Sequence, residues 1–170
     1  MPTGLKQTSS IVAIGFSVDE TAPNTFTQSS VDLNLSPLDR EVLVVLSVNI
    51  DPFTPDAVAA TDTKVETSLT TTSQTTVANL SNSNCLAASG NFIKAAGFVD
   101  AGVGFQSLGA ETPPSNLDYI GIIATNDFFI QVQGTGNLAA RGMDGKLYGY
   151  RARADADIYA ALVQSEVLSA

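Results

Sequence analysis

Apolar residues recur at every second position over several stretches of the chain, the spacing that gathers them on one face of a β-strand. In residues 11–18 the positions Val12, Ile14, Phe16 and Val18 share a face. In residues 25–35 Val31, Leu33 and Leu35 do so opposite Asp32 and Asn34. Residues 41–50 (EVLVVLSVNI) are apolar on both faces and rich in β-branched side chains, the mark of a strand covered from two sides. Turn chemistry separates these runs: DETAPN over 19–24, Pro37, and DPFTP at 51–55.

Residues 61–76 are dense in threonine, and Thr63, Val65, Thr67 and Leu69 alternate with Lys64, Glu66 and Ser68. Threonine is β-branched and polar, so this pattern predicts a solvent-facing strand. Residues 84–96 predict a short helix with Asn84 as N-cap and Gly97 past its end, although Gly90 opposes it. Residues 99–108 (VDAGVGFQSL) set Val99, Val103 and Phe105 beside Gly102 and Gly104, as in a bulged or closely packed strand. The double proline of ETPPSN at 111–116 marks a loop. YIGIIA at 119–124 and DFFIQVQ at 127–133 read as two strands of a tight hairpin around Thr125-Asn126. Residues 146–154 alternate once more.

The period changes at 155–168 (DADIYAALVQSEVL). Ile158, Ala161, Leu162 and Val163 fall at helical offsets and the acids lie in the first turn, which predicts an amphipathic C-terminal helix; a final strand through 159–168 is the alternative. About eight strands, turn signals roughly every 8–15 residues and no βαβ alternation predict an all-β fold, an antiparallel β-sandwich or single jelly roll. The organisation read from the pattern is a polar arm over 1–9, a sandwich domain over 10–154, and a C-terminal helix or arm over 155–170. The expected core is Val42, Val44, Val45, Leu46, Val48, Ile120, Ile122, Phe128, Ile130 and Val132. A chain of 170 residues is long enough to bury about two-thirds of its unfolded surface.

Composition narrows the function. The chain has no histidine, no tryptophan, one cysteine and eight Lys plus Arg, so the side chains that usually perform acid/base and transition-metal chemistry near neutral pH are nearly missing. No transition metal or organic cofactor is expected. Hydrophobic residues reach 44% and charged ones only 15%, which predicts folding rather than disorder. A net charge of −9 disfavours a nucleic-acid groove, which draws on clustered Lys and Arg. There is no run long enough for a transmembrane helix, and MPTGLKQTSS is no recognisable secretory signal, so synthesis in a cytoplasm, or an already mature form, is expected.

The remaining candidates for chemistry are sparse. Cys85 stands alone and reads as a buried small hydrophobe. The acid pairs Asp19/Glu20 and Asp155/Asp157 sit in an expected turn and an expected helix cap, and Asp19, Glu20, Asp51 and Asp56 lack the spacing of a calcium loop. A serine nucleophile would need Lys64, Lys94 or Lys146 as its base, without any spacing that suggests it. Gly97, Gly102 and Gly104 lack the Lys-Ser/Thr of a phosphate loop and read as strand glycines. Asn34-Leu35-Ser36 and Asn79-Leu80-Ser81 match the glycosylation acceptor pattern. Phe128-Phe129 read as core, and Tyr148 with Tyr150 as either a sheet face or a glycan-stacking surface.

The strand count, the Thr-rich strand, the looped middle and the late segment YIGIIATNDFFIQVQG…KLYGYRARADADIYAALVQSEVL resemble small single jelly-roll major capsid proteins of tailless icosahedral viruses of bacteria or archaea. That resemblance implies a non-enzymatic, self-assembling protein of the virion, built in the host cytoplasm. Its partners would be further copies of itself and other coat proteins, reached through loops and terminal arms. It assigns no individual site residue. A carbohydrate- or receptor-binding sandwich is the second reading, and a carboxylate hydrolase ranks last.

Overall fold

The computed structural model describes residues 2–108 and 117–170. Among the described residues ten strands form two antiparallel five-stranded sheets, and one helix accompanies them. Sheet A contains β1 (Leu5–Gln7), β2 (Val12–Asp19), β4 (Glu41–Pro52), β8 (Gly121–Ile123) and β10 (Gly142–Ala154). Sheet B contains β3 (Thr27–Asp32), β5 (Thr63–Thr70), β6 (Cys85–Lys94), β7 (Val103–Leu108) and β9 (Asp127–Thr135). The helix α1 (Ala156–Leu168) follows β10 directly.

The pairings give the order β2-β10-β4-β8 in one sheet and β3-β9-β5-β6 in the other. With β1 and β7 set aside, the eight strands numbered in chain order pair as first-eighth-third-sixth and second-seventh-fourth-fifth. That double Greek-key order is a jelly roll. β7 extends sheet B beyond β6. β1 lies beyond β2 along the same side of β10, with Gln7 opposite Ala152 and Val12 opposite Gly149. The two are one edge strand interrupted by a bulge, where the Thr8 amide and the Ser9 hydroxyl bond to Arg151.

The core lies between the sheets. Phe16, Val18, Leu43, Val45, Val48, Ile50, Met143 and Leu147 from sheet A meet Val65, Leu69, Ala87, Phe128, Ile130 and Val132 from sheet B. The doubly apolar run at 41–50 is explained by a second cluster on the outer face of sheet A. There Val42, Val44, Tyr150, Ala152 and Leu5 pack beneath Ile158, Tyr159, Leu162 and Val163 of α1. Leu46 has no partner on β10, since Tyr148 pairs with Ser47 and Gly149 with Val45. This bulge changes parity, so that Val45 and Val48, three apart, both face the sandwich core. Gly149 permits it, for a Cβ there would sit 2.5 Å from the Val44 carbonyl oxygen.

Several expectations change in three dimensions. The helix predicted over 84–96 is strand β6, because it pairs with both β5 and β7 and Ala87 fills the core. The predicted hairpin at 119–133 does not form. β8 pairs with β4 in sheet A and β9 with β3 and β5 in sheet B, so the chain crosses between sheets at residues 124–126. The Thr-rich strand is not solvent-facing. β5 is the centre of sheet B, with Thr63, Thr67, Ser68 and Thr70 all buried. The polar arm over 1–9 docks on its own sheet, and Leu5 is 6% exposed. Of the expected core, Leu46, Ile120 and Ile122 are half-buried and the other seven are fully enclosed. The ETPPSN loop lies outside the described residues.

Candidate functional site

The register brings one set of chain turns together. Asp19 at the end of β2 pairs with Gly142 at the start of β10, and Pro52 at the end of β4 pairs with Met143. In the other sheet the start of β5 meets the ends of β9 and β6, Lys64 opposite Thr135 and Thr63 opposite Ile93. Loops 20–26, 53–62, 95–102 and 136–141 therefore crowd at one end of the sandwich.

Side chains brace this end. Asn24 and Asn137 bond reciprocally, the Asn24 amide donating to the Asn137 carbonyl and the Asn137 N–H to the Asn24 Oδ1, both at 2.8 Å. The Asp56 N–H donates to Asn137 Oδ1 at 2.8 Å, and Asn137 Nδ2 donates to the Lys64 carbonyl at 2.9 Å. The Asp56 carboxylate accepts from the Leu138 and Ala139 amides and pairs with the Arg141 guanidinium. Glu20, 5% exposed, accepts from the Gly134 amide at 2.6 Å and the Arg141 amide at 2.9 Å. Asp62 accepts from the Ala95 and Ala96 amides and pairs with Lys94; the two amide bonds, Ala96 foremost, hold its carboxyl below the usual range.

Glu20 and Asp56 are thus turned inward, while Asp62, paired with Lys94, and Asp100 remain exposed. The surface they leave is small and apolar, with Leu138 76%, Val99 81%, Phe98 47% and Phe53 39% exposed, alongside Ala59, Ala60, Ala139 and Ala140. A braced, largely apolar cap suits contact with another macromolecule.

A second polar construction covers the outer face of sheet B. Ser68 Oγ donates to Gln131 Oε1 at 2.6 Å, and Gln131 Nε2 donates to Thr70 Oγ1 at 2.7 Å and Gln28 Oε1 at 3.0 Å. Loop 71–84 folds over these groups, with the Gln74 amide on Gln28 and the Asn84 amide group on Thr72. A buried network of this kind holds only where each member is satisfied. Nothing in the alternating pattern marked Gln131 or Gln28, and a buried Gln between Ile130 and Val132 is the one hint the sequence offers.

The other candidates are dispersed. Asp155 occupies the N-cap of α1 without a side-chain cap bond, and Asp157 lies in its first turn. Glu166, unnoticed in the sequence, is 7% exposed and anchors the helix by accepting from the Ala124 amide at 2.9 Å and from Thr125 Oγ1 at 2.6 Å. Burial raises its pKa. Cys85 is half-buried, and desolvation pushes its thiol up to about 11. Lys64 pairs with Glu66 and Lys94 with Asp62, while Lys146 is exposed. Tyr150 is 8% exposed beneath the helix cluster, so it offers no stacking face to a glycan. Tyr148 is half-buried. Gly97 sits at φ +97 in a turn, Gly102 lies just before β7 and Gly104 within it. Asn34 adopts φ +51, and the Asn79 side chain is bonded by Ser81. Among the described residues no three ligand-type side chains cluster for a metal, and no helix is long and apolar enough to cross a membrane.

No protein-family model matches the chain, and no curated protein matches it. A solved structure of Desmodium yellow mottle tymovirus aligns over 92% of this chain and 95% of its own, at 9% identity and a TM-score of 0.31. The jelly-roll assignment rests on the strand order and pairings given above, independently of that alignment.

Proposed function

We propose that this chain is a non-enzymatic, self-assembling structural protein of the capsid type, residing in a virion. The observation that carries the reading is the braced loop end. Three loops of a jelly roll are cross-linked by Asn24, Asp56, Asn137, Glu20 and Arg141, and Asp62 ties in the fourth, so that they present a largely apolar cap on which Asp100 is the exposed acid without a basic partner in the loops. In a chain of net charge −9, such a cap is where acidic copies can approach with few unpaired carboxylates opposed. Rigid loops also lose little conformational entropy on association. Further copies of the chain, and other coat proteins, are the partners this surface suits.

The two termini have a different place in this reading from that expected of the sequence. The arm and the helix both pack on sheet A of their own chain, which leaves the loops and sheet edges to make contacts between subunits. A glycan-binding role through Tyr148 and Tyr150 loses half its surface to burial of Tyr150. Light scattering across concentration and salt, with negative-stain microscopy, tests the proposal. Large or polydisperse species that grow with salt are expected, because screening weakens repulsion between acidic subunits. A strict monomer under every condition overturns it.

A further inference from the structure

Sheet B ends on β7, whose far edge pairs with nothing among the described residues. An edge strand leaves alternate N–H and C=O groups pointing outward as a template for another strand. Soluble proteins blunt such edges with charge, proline, bulges or a covering segment. Residues 101–108 (AGVGFQSL) contain no charge and no proline, and the pairing with β6 runs from Ser89↔Leu108 to Lys94↔Val103 without a break.

The other edges are protected. The β1–β2 edge is split by its bulge, and β8 is three residues long. β3 ends on Asp32, and its Gln28 is held by Ser73 and Gln74 of the covering loop. β7 instead presents Val103, 49% exposed, and Phe105, 56% exposed, the latter directly opposite Phe92. At Gly104 a Cβ would meet nothing within 4 Å, so a side chain can be introduced there without disturbing the single chain.

We propose that β7 is a seam between two copies of this chain, pairing antiparallel with β7 of the second copy across a two-fold axis. The two B sheets then become one continuous sheet. A two-fold makes the contact self-complementary, and it sets the Val103 and Phe105 rows of the two copies side by side. A second copy is the occupant because the strand is uncharged in a chain of net charge −9, so two acidic copies meet here without like charges opposed. A basic partner would find no acid on β7 to recognise. The proposal rests on the self-assembly reading and specifies one of its contacts.

The test uses the full chain. Hydrogen exchange of the amides at 103–107 is followed as concentration rises, alongside the mass by light scattering. The associated species is expected to exchange these amides about ten-fold or more slowly than the dilute protein. Gly104→Lys, whose side chain has room in the single chain, sets like charges across the seam and is expected to abolish that species with an unchanged circular-dichroism spectrum. Association with β7 amides as fast as in dilute protein removes the seam and leaves self-assembly through other surfaces standing. So does a folded Gly104→Lys that associates like the wild type. A wild type that is monomeric at every concentration removes both. If Gly104→Lys does not fold, the exchange result on the wild type decides alone.

Discussion

Phe16 of β2 and Phe128 of β9 meet edge to face across the two sheets, their ring centroids 5.7 Å apart and their planes at 77°. The edge of one ring thereby meets the electron-rich face of the other, at the centre of the sandwich. Phe128 is fully buried and Phe16 is 8% exposed. Truncating Phe128 removes the aromatic contact and leaves a void that the β9 backbone, held by β3 at Phe128 and by β5 from Phe129 onward, cannot close. Phe128→Ala is expected to cost about 3–5 kcal/mol in urea unfolding. A loss under about 1 kcal/mol would show that the sheets are not clamped at this point.

The arm also meets the helix at Gly4. Gly4 adopts φ +77, and a Cβ on it would collide with Ile158 Cδ1 of α1. Gly4→Ala is expected to lower stability by about 1–3 kcal/mol through backbone strain and displacement of Ile158. Stability within about 0.5 kcal/mol of the wild type would mean that the arm does not dock on its own helix.

Glu166 sets a pH dependence. Its folded-state pKa lies above the unfolded value because burial disfavours the charged carboxylate. The folded state therefore holds the proton more tightly, and stability from this group falls as pH rises from the unfolded value of 4.5 through the raised folded value. Glu166→Gln removes the titration and is expected to flatten that slope in denaturation measured across pH. Glu166→Ala should cost about 1–3 kcal/mol at neutral pH by orphaning the Ala124 and Thr125 donors. Identical slopes for wild type and Glu166→Gln would assign the dependence to other acids.

The loop cap depends on Arg141, which pairs with Asp56 at side-chain exposures of 24% and 21%. Arg141→Leu is expected to cost about 1–2 kcal/mol, less than a fully buried pair because water still reaches both partners. It is also expected to speed hydrogen exchange at Leu138 and Ala139, whose amides lean on Asp56. Unchanged exchange at those two amides would remove Arg141 from the brace.

Cys85 offers a chemical check on the strand that replaces the expected helix. With its thiol near pKa 11, only about one molecule in a thousand is thiolate at pH 8. Alkylation of the folded protein is expected to be slow and to reach the rate of an ordinary thiol only on unfolding. Rapid labelling under native conditions would place Cys85 at the surface.

Alternation along the chain determined the strands whose two faces differ. Val12, Ile14, Phe16 and Val18 lie inward of exposed neighbours, and the change of period at 155 marks α1. The doubly apolar run at 41–50 likewise announced a strand covered on both sides, because no other environment accepts Val42, Val44, Val45 and Val48 together. Partner choice was decided only in three dimensions. Thr125-Asn126 has the composition of a tight turn, yet β8 pairs with β4 and β9 with β3 and β5, in different sheets. The threonines of β5 and Gln131 are polar in composition and buried in place, because Ser68, Thr70 and Gln28 bond Gln131 while the Asp56, Ser89 and Thr72 carbonyls accept from Thr63, Thr67 and Thr70. The braced cap joins Glu20 to Gly134 and Asp56 to Arg141, residues far apart in the chain. Hydrophobic spacing is a local property that a short window records. Pairing, bracing and the open edge of β7 depend on which distant segments share a neighbourhood, and only the folded chain decides that.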